Sequence, residues 1–160
     1  MNKRGHVLNA LLLSIGLGYL LEPVGDERTF VTIVEVGIPV VLGALFPDVD
    51  TAFGKHRKTL HNLLVLGGFM AFPYFFGNLE YVWIGILTHY VLDIAGSKRG
   101  VALFYPYTRE YGFPVGVAVS SDRSELATVV VTGVELVAAA LVIYEVPQYG
   151  IELGRQALGV

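Results

Sequence analysis

The chain has 160 residues, of which 54% are hydrophobic and 16% charged, with a net charge of −3 and a mean hydropathy of +0.60. Soluble proteins carry about 25% charged residues. This chain has too few polar side chains to cover a globule, and one membrane-embedded domain over residues 1–160 is expected. The absence of cysteine excludes disulfides and thiolate metal ligands. No basic stripe interleaved with aromatics is present, so no nucleic-acid partner is expected.

Five apolar stretches follow one another, near residues 6–21, 30–46, 62–76, 80–95 and 125–146. They predict an all-α, integral membrane bundle of four to five helices. At ~1.5 Å per residue the shorter stretches come close to a hydrocarbon core of ~30 Å, and the last is long enough to cross it. The first stretch, within "MNKRGHVLNALLLSIGLGYLL", begins like a secretory signal. "LLEPVGDE" stands where a small-residue cleavage site would be, which favours a retained helix.

The second stretch runs into "FPDVD". The third is interrupted by Pro73, and the fourth carries "THYVLD". A long loop, about residues 96–124, contains "VALFYPYTREYG", which reads as an interfacial aromatic belt. Ser121 and Asp122 precede Glu125 in the manner of capping residues for the fifth helix.

The cations set an expected topology. With the N-terminus cytoplasmic and all five stretches crossing, Lys3, Arg4, Lys55, Arg57, Lys58, Lys98, Arg99, Arg109 and Arg123 lie inside. Only Arg28 and Arg155 then lie outside. Positive charge favours the cytoplasmic side, which predicts a multi-pass protein of the cytoplasmic (inner) membrane.

On that map His6 opens the first helix, and Asp48 and Asp50 follow the second. His56 and His61 lie in "HRKTLHN", and His89 and Asp93 share one face of the fourth helix. All four histidines of the chain thus meet three aspartates at one membrane surface, the cytoplasmic one. Imidazole with carboxylate favours a divalent ion: Zn²⁺ first, with Mn²⁺ or Fe as alternatives.

Seven candidate ligands exceed what one tetrahedral centre needs. Two ions bridged by Asp48 or Asp50 are expected, an arrangement that activates water for phosphoryl displacement. Arg57 and Lys58, with Lys98 and Arg99 nearby, would then stabilise charge on the phosphoryl oxygens.

Each residue also has a plainer reading. Lys55, Arg57 and Lys58 can serve topology alone, His56 can be a solvated loop residue, and His61 a polar residue at a helix entry. Asp48 and Asp50 can belong to an ordinary turn. Glu35 and Glu135 sit in apolar stretches. Glu135, near the middle of the fifth, has to be protonated or hydrogen-bonded there, whereas Glu35 can snorkel.

"GHVLN" with His6, "FPDVD" at 46–50, "HRKTLHN" at 56–62, "THYVLD" at 88–93 and "GVALFYPYTR" at 100–109 occur in an order that resembles the YdjM-like membrane-bound metal-dependent hydrolases. These look like distant relatives of zinc-dependent phospholipase C and P1 nuclease. The family pattern has Gly, Thr and Ser where Lys58, Leu60 and Asn62 stand here, and a Thr-Pro where this chain reads "AGSK".

The resemblance implies a helical metal hydrolase with His6, Asp48, Asp50, His56, His61, His89 and Asp93 as ligand candidates. Its partners would be membrane lipid and a phosphoester substrate, such as a phospholipid headgroup. Two other functions compete: a non-catalytic membrane protein pinned by a structural metal site, and a divalent-metal or proton carrier using Glu35 and Glu135.

Overall fold

A computed structural model describes residues 3–96, 99–113 and 123–158. Among them the chain is all-helical apart from one isolated bridge between Val101 and Tyr111. The helices are α1 (Lys3–Leu21), α2 (Glu27–Leu45), α3 (Leu63–Phe76), α4 (Val82–Ala95), α5 (Arg123–Ile143) and α6 (Val146–Leu158). A 3-10 turn, Pro47–Ala52, follows α2. Lys98 and the expected caps Ser121 and Asp122 lie outside the described residues.

Local chemistry sets the boundaries. The Asp26 carboxylate caps α2 by accepting from the Arg28 and Thr29 amides at 2.9 and 3.3 Å. Pro47, at the first position of the 3-10 turn, follows the end of α2. Asn62 caps α3 by accepting from Val65 N at 3.1 Å. Gly77, in the left-handed region at φ 65°, closes α3 and donates to Pro73 O. Pro73 therefore falls inside the helix without ending it.

Three segments are long and apolar enough to cross a membrane: Lys3–Leu21, Glu27–Ala52 and Arg123–Ile143. Helices α3 and α4 have 14 residues each, about 21 Å at ~1.5 Å per residue, and do not reach the length of a full crossing. Three segments therefore qualify, against the four to five expected. Only 11% of the apolar window of α5 is buried. Side chains such as Val134, Val137 and Val142 stand exposed, as on a helix whose solvent is hydrocarbon.

Helix α1 packs on α2 and α5, α2 packs on α4, and α3 packs on α4. One apolar core is Ala10, Leu13 and Leu17 of α1 against Val36, Val40 and Ala44 of α2. A second joins Leu66 of α3 to Val82, Ile86 and Tyr90 of α4.

Helix α6 is not among the five stretches expected. It places Tyr149 and Leu153 on one side and Gln148, Glu152 and Arg155 on the other, the pattern of a helix lying along an interface.

The "VALFYPYTREYG" stretch is more than an aromatic belt. Phe104 and Tyr107 are exposed, but Val101 and Ala102 are fully buried. Ala102 N donates to Arg57 O at 3.0 Å, and Leu63 N donates to Leu103 O at 2.9 Å. Residues 99–113 thus form a strap fastened over the loop that carries His56 and His61.

Candidate metal centre

The seven residues singled out from the sequence come together. They lie where the start of α1, the turn after α2, the 53–62 loop and the last turns of α4 meet. Two donor groups result: His6, His89 and Asp93, all buried, and Asp48, His56 and His61. They adjoin where His61 Nε2 and His89 Nε2 approach to 3.0 Å.

That contact fixes the chemistry. His89 Nδ1 lies 2.7 Å from the carbonyl of Ala44, which can only accept, so Nδ1 carries the hydrogen. His61 Nδ1 lies 3.0 Å from Asp50 Oδ2, again a place for N–H. Both Nε2 atoms are then left with lone pairs, pointed at each other in fully buried surroundings. Burial lowers the His61 pKa below its usual value, against the opposing pull of Asp50 and Asp93, and so favours the neutral ring. Two facing lone pairs repel each other, and metal ions bound at these nitrogens would remove that repulsion.

The surrounding donors fit a metal. Asp93 Oδ2 lies 3.7 Å from each Nε2, and Asp48 Oδ1 lies 3.8 Å from His89 Nε2. Ligand atoms bound to one Zn²⁺ at ~2.1 Å in a tetrahedron stand about 3.4 Å apart, so 3.0–3.7 Å is coordination spacing. His6 stacks on His89 with ring centroids 3.8 Å apart. Its Nδ1 is the one buried side-chain nitrogen or oxygen without a hydrogen-bond partner among the described residues. The other ring nitrogen, Nε2, lies 3.5 Å from Asp93 Oδ1, so His6 reaches the donor group through that atom.

Asp50 occupies a different place from Asp48. It is fully buried, with Oδ2 on His61 Nδ1 at 3.0 Å and Oδ1 on His56 Nδ1 at 3.1 Å. A carboxylate behind imidazoles in this way fixes their tautomer and raises their basicity.

Arg57 and Lys58, expected to stabilise phosphoryl oxygens, make the following contacts within the protein. Arg57 Nη2 meets Asp93 Oδ1 at 3.2 Å and Nη1 donates to Arg99 O at 2.8 Å. Its backbone takes a positive φ of 64°, a costly conformation held by these bonds and by the Ala102 amide. Lys58 pairs with Glu110 of the strap at 2.9 Å. Arg57 thus engages one oxygen of Asp93 and leaves the other facing the imidazoles.

Sequence reasoning missed Tyr90. Its hydroxyl donates to Leu60 O at 2.6 Å and accepts from Asn62 N at 3.1 Å, which ties the histidine loop to α4. Its place inside "THYVLD" was the available signal. Asn62, standing where the motif has Ser, caps α3.

The sequence matches the description "YdjM inner membrane protein" over residues 1–151. The chain belongs to the YdjM inner membrane protein family. No curated protein and no solved structure matches it. The YdjM description names a membrane location and no reaction, so the likeness to zinc-dependent phospholipase C and P1 nuclease gains no support from it. With its apolar helices, YdjM membership makes this a membrane protein.

Proposed function

We propose that this YdjM protein is a membrane-bound, metal-dependent hydrolase of phosphoesters, with a phospholipid headgroup as the substrate within reach. The observation that carries the reading is the pair of converging Nε2 lone pairs of His61 and His89, closed by Asp93. His6, His89 and Asp93 would hold one divalent ion and Asp48, His56 and His61 a second, with Zn²⁺ first among Zn, Mn and Fe. When bound, such ions lower the pKa of coordinated water and polarise phosphoryl oxygens.

The protein's own groups do the rest. Asp50 orients His61 and His56, while Arg57 holds Asp93 in place. The centre is shut on the α4 side and open at one edge, where the His56 side chain is 41% exposed and that of Asp48 13%, against 1% or less for His6, His61, His89 and Asp93. An open edge suits a site that exchanges substrate better than a purely structural one. The bias of cations favours a cytoplasmic position for this edge.

The carrier alternative requires Glu35 and Glu135 on one path. Glu35 is exposed on α2, whereas Glu135 is held by Asn9 and Thr88.

The test is metal content and turnover of detergent-purified protein, wild type against an Asp48→Ala/His89→Ala double variant and Asp93→Ala. The reading expects bound transition metal that is lost in the double variant. It also expects hydrolysis of nitrophenyl phosphoesters or phospholipid vesicles that is lost in Asp93→Ala. Metal without turnover of any phosphoester would replace it with the structural site. No metal after reconstitution with Zn²⁺ and Mn²⁺ would end it.

A further inference from the structure

A second polar cluster, of buried Asn9, Thr88 and Thr132 with half-buried Glu135, is not used by the function above. Asn9 of α1, Thr88 of α4, and Thr132 and Glu135 of α5 meet between three helices. Asn9 Nδ2 donates to Glu135 Oε2 at 2.7 Å and to Thr132 Oγ1 at 2.9 Å. Thr88 Oγ1 lies 2.5 Å from Asn9 Oδ1 and 2.6 Å from Glu135 Oε1. Both are hydrogen-bond distances between oxygens, and each needs a hydrogen.

Thr88 has one hydroxyl hydrogen. Given to Asn9 Oδ1, it leaves Glu135 Oε1 against a bare hydroxyl oxygen. Given to Glu135, it leaves the Asn9 carbonyl in that position. Thr132 has none to lend, since its hydroxyl donates to Thr128 O at 2.8 Å. Turning the Asn9 amide over moves the deficit without removing it, because the amide oxygen then faces Glu135 Oε2. One proton on Glu135 closes the circuit: Oε1–H donates to Thr88, Thr88 donates to Asn9 Oδ1, and Asn9 Nδ2 donates to Oε2.

The carboxyl also borders an apolar cavity of about 530 Å³ whose walls include Leu13, Leu17, Leu87 and Ala138. Such a wall solvates a neutral acid far better than a carboxylate.

We propose that Glu135 is a neutral carboxylic acid that acts as a positioning residue, registering α5 against the two helices that carry His6 and His89. Asn9 stands one turn beyond His6 on α1, and Thr88 immediately precedes His89 on α4. A donor and an acceptor on one short side chain therefore tie together the helices that supply the buried half of the centre. The effect on the centre rests on the metal reading above. The protonation state does not.

The experiment compares wild type, Glu135→Gln and Glu135→Ala in detergent. Infrared difference spectra at neutral pH report the proton: subtracting Glu135→Gln from wild type should show a protonated-carboxyl stretch. Glutamine reproduces the neutral acid, with Nε2 donating to Thr88 and Oε1 accepting from Asn9. It should therefore keep the wild-type melting temperature and Zn²⁺ affinity. Alanine should lower the melting temperature and weaken Zn²⁺ binding about tenfold, the lower end of the effect of removing a ligand's supporting partner.

A carboxylate band in the difference spectrum overturns the proposal, as does glutamine proving as damaging as alanine. Unchanged Zn²⁺ affinity in Glu135→Ala removes the positioning role. If the wild type binds no Zn²⁺, the metal reading fails, and the infrared and melting comparisons still decide the state of Glu135.

Discussion

Gly85→Ala should empty the centre although Gly85 touches no ligand. Helices α2 and α4 meet backbone to backbone: a Cβ on Gly85 would lie 2.0 Å from Val40 O and 2.6 Å from Ala44 N. Ordinary contact begins near 3.4 Å, so α4 must retreat by roughly 1.4 Å, well outside the ~0.2 Å tolerance of metal–ligand distances. The same retreat stretches the 2.7 Å bond between His89 Nδ1 and Ala44 O to about 4 Å, past hydrogen bonding. Overpacking costs roughly 1–3 kcal/mol and the lost bond about 1 more, so destabilisation near 3 kcal/mol is expected.

The assay is metal per protein by elemental analysis after gel filtration, together with thermal unfolding in detergent. Gly133→Ala is the control, since nothing lies within 4 Å of its added methyl. It should keep full metal and gain up to about 1 kcal/mol of helix propensity. A Gly85→Ala protein with wild-type metal and melting temperature would refute the claim that the α2–α4 seam sets His89.

Asp50→Asn should weaken Zn²⁺ binding by roughly ten- to a hundredfold while leaving stoichiometry at saturation unchanged, read by competition with a chromophoric chelator. Asn62→Ala should lower stability by about 1 kcal/mol through loss of the α3 cap, and Asn62→Ser should recover most of it, as denaturation midpoints will show. In metal-free protein, buried His61 resists protonation more than its unfolded form, whose pKa is about 6.5. Its contribution to stability is therefore whole above about pH 6.5 and is lost as pH falls below that. Melting temperatures at about pH 8 and pH 5.5 should diverge, and His61→Phe should narrow the gap.

The site was more legible than the helices around it. His and Asp are rare in this chain and expensive in hydrocarbon, so their positions at helix ends pointed to one cluster. The structure brings six of them together as two donor groups and sets Asp50 behind His56 and His61. What the one-letter code withheld was orientation. Asp48 and Asp50 look alike in "FPDVD", yet the tight turn sends Asp50 behind the imidazoles and Asp48 to the open edge. Arg57 resembled a topology cation until its positive φ turned it onto Asp93.

All five stretches form helices, but which of them cross was harder to read. Apolar residues at 62–76 and 80–95 signal burial in apolar surroundings, whether lipid or protein, and half of α4 is buried against its neighbours. Helix α6 escaped notice because Gly150 and Gly154 break its apolar run, while its polar face repeats at helical spacing.

The donors of the centre are scattered from His6 on α1 to Asp93 on α4, and the strap that pins the histidine loop ends near Phe113. During synthesis no subset of early segments can complete the cluster. The cluster is complete only when α4 has packed on α2 and the strap has closed over the histidine loop.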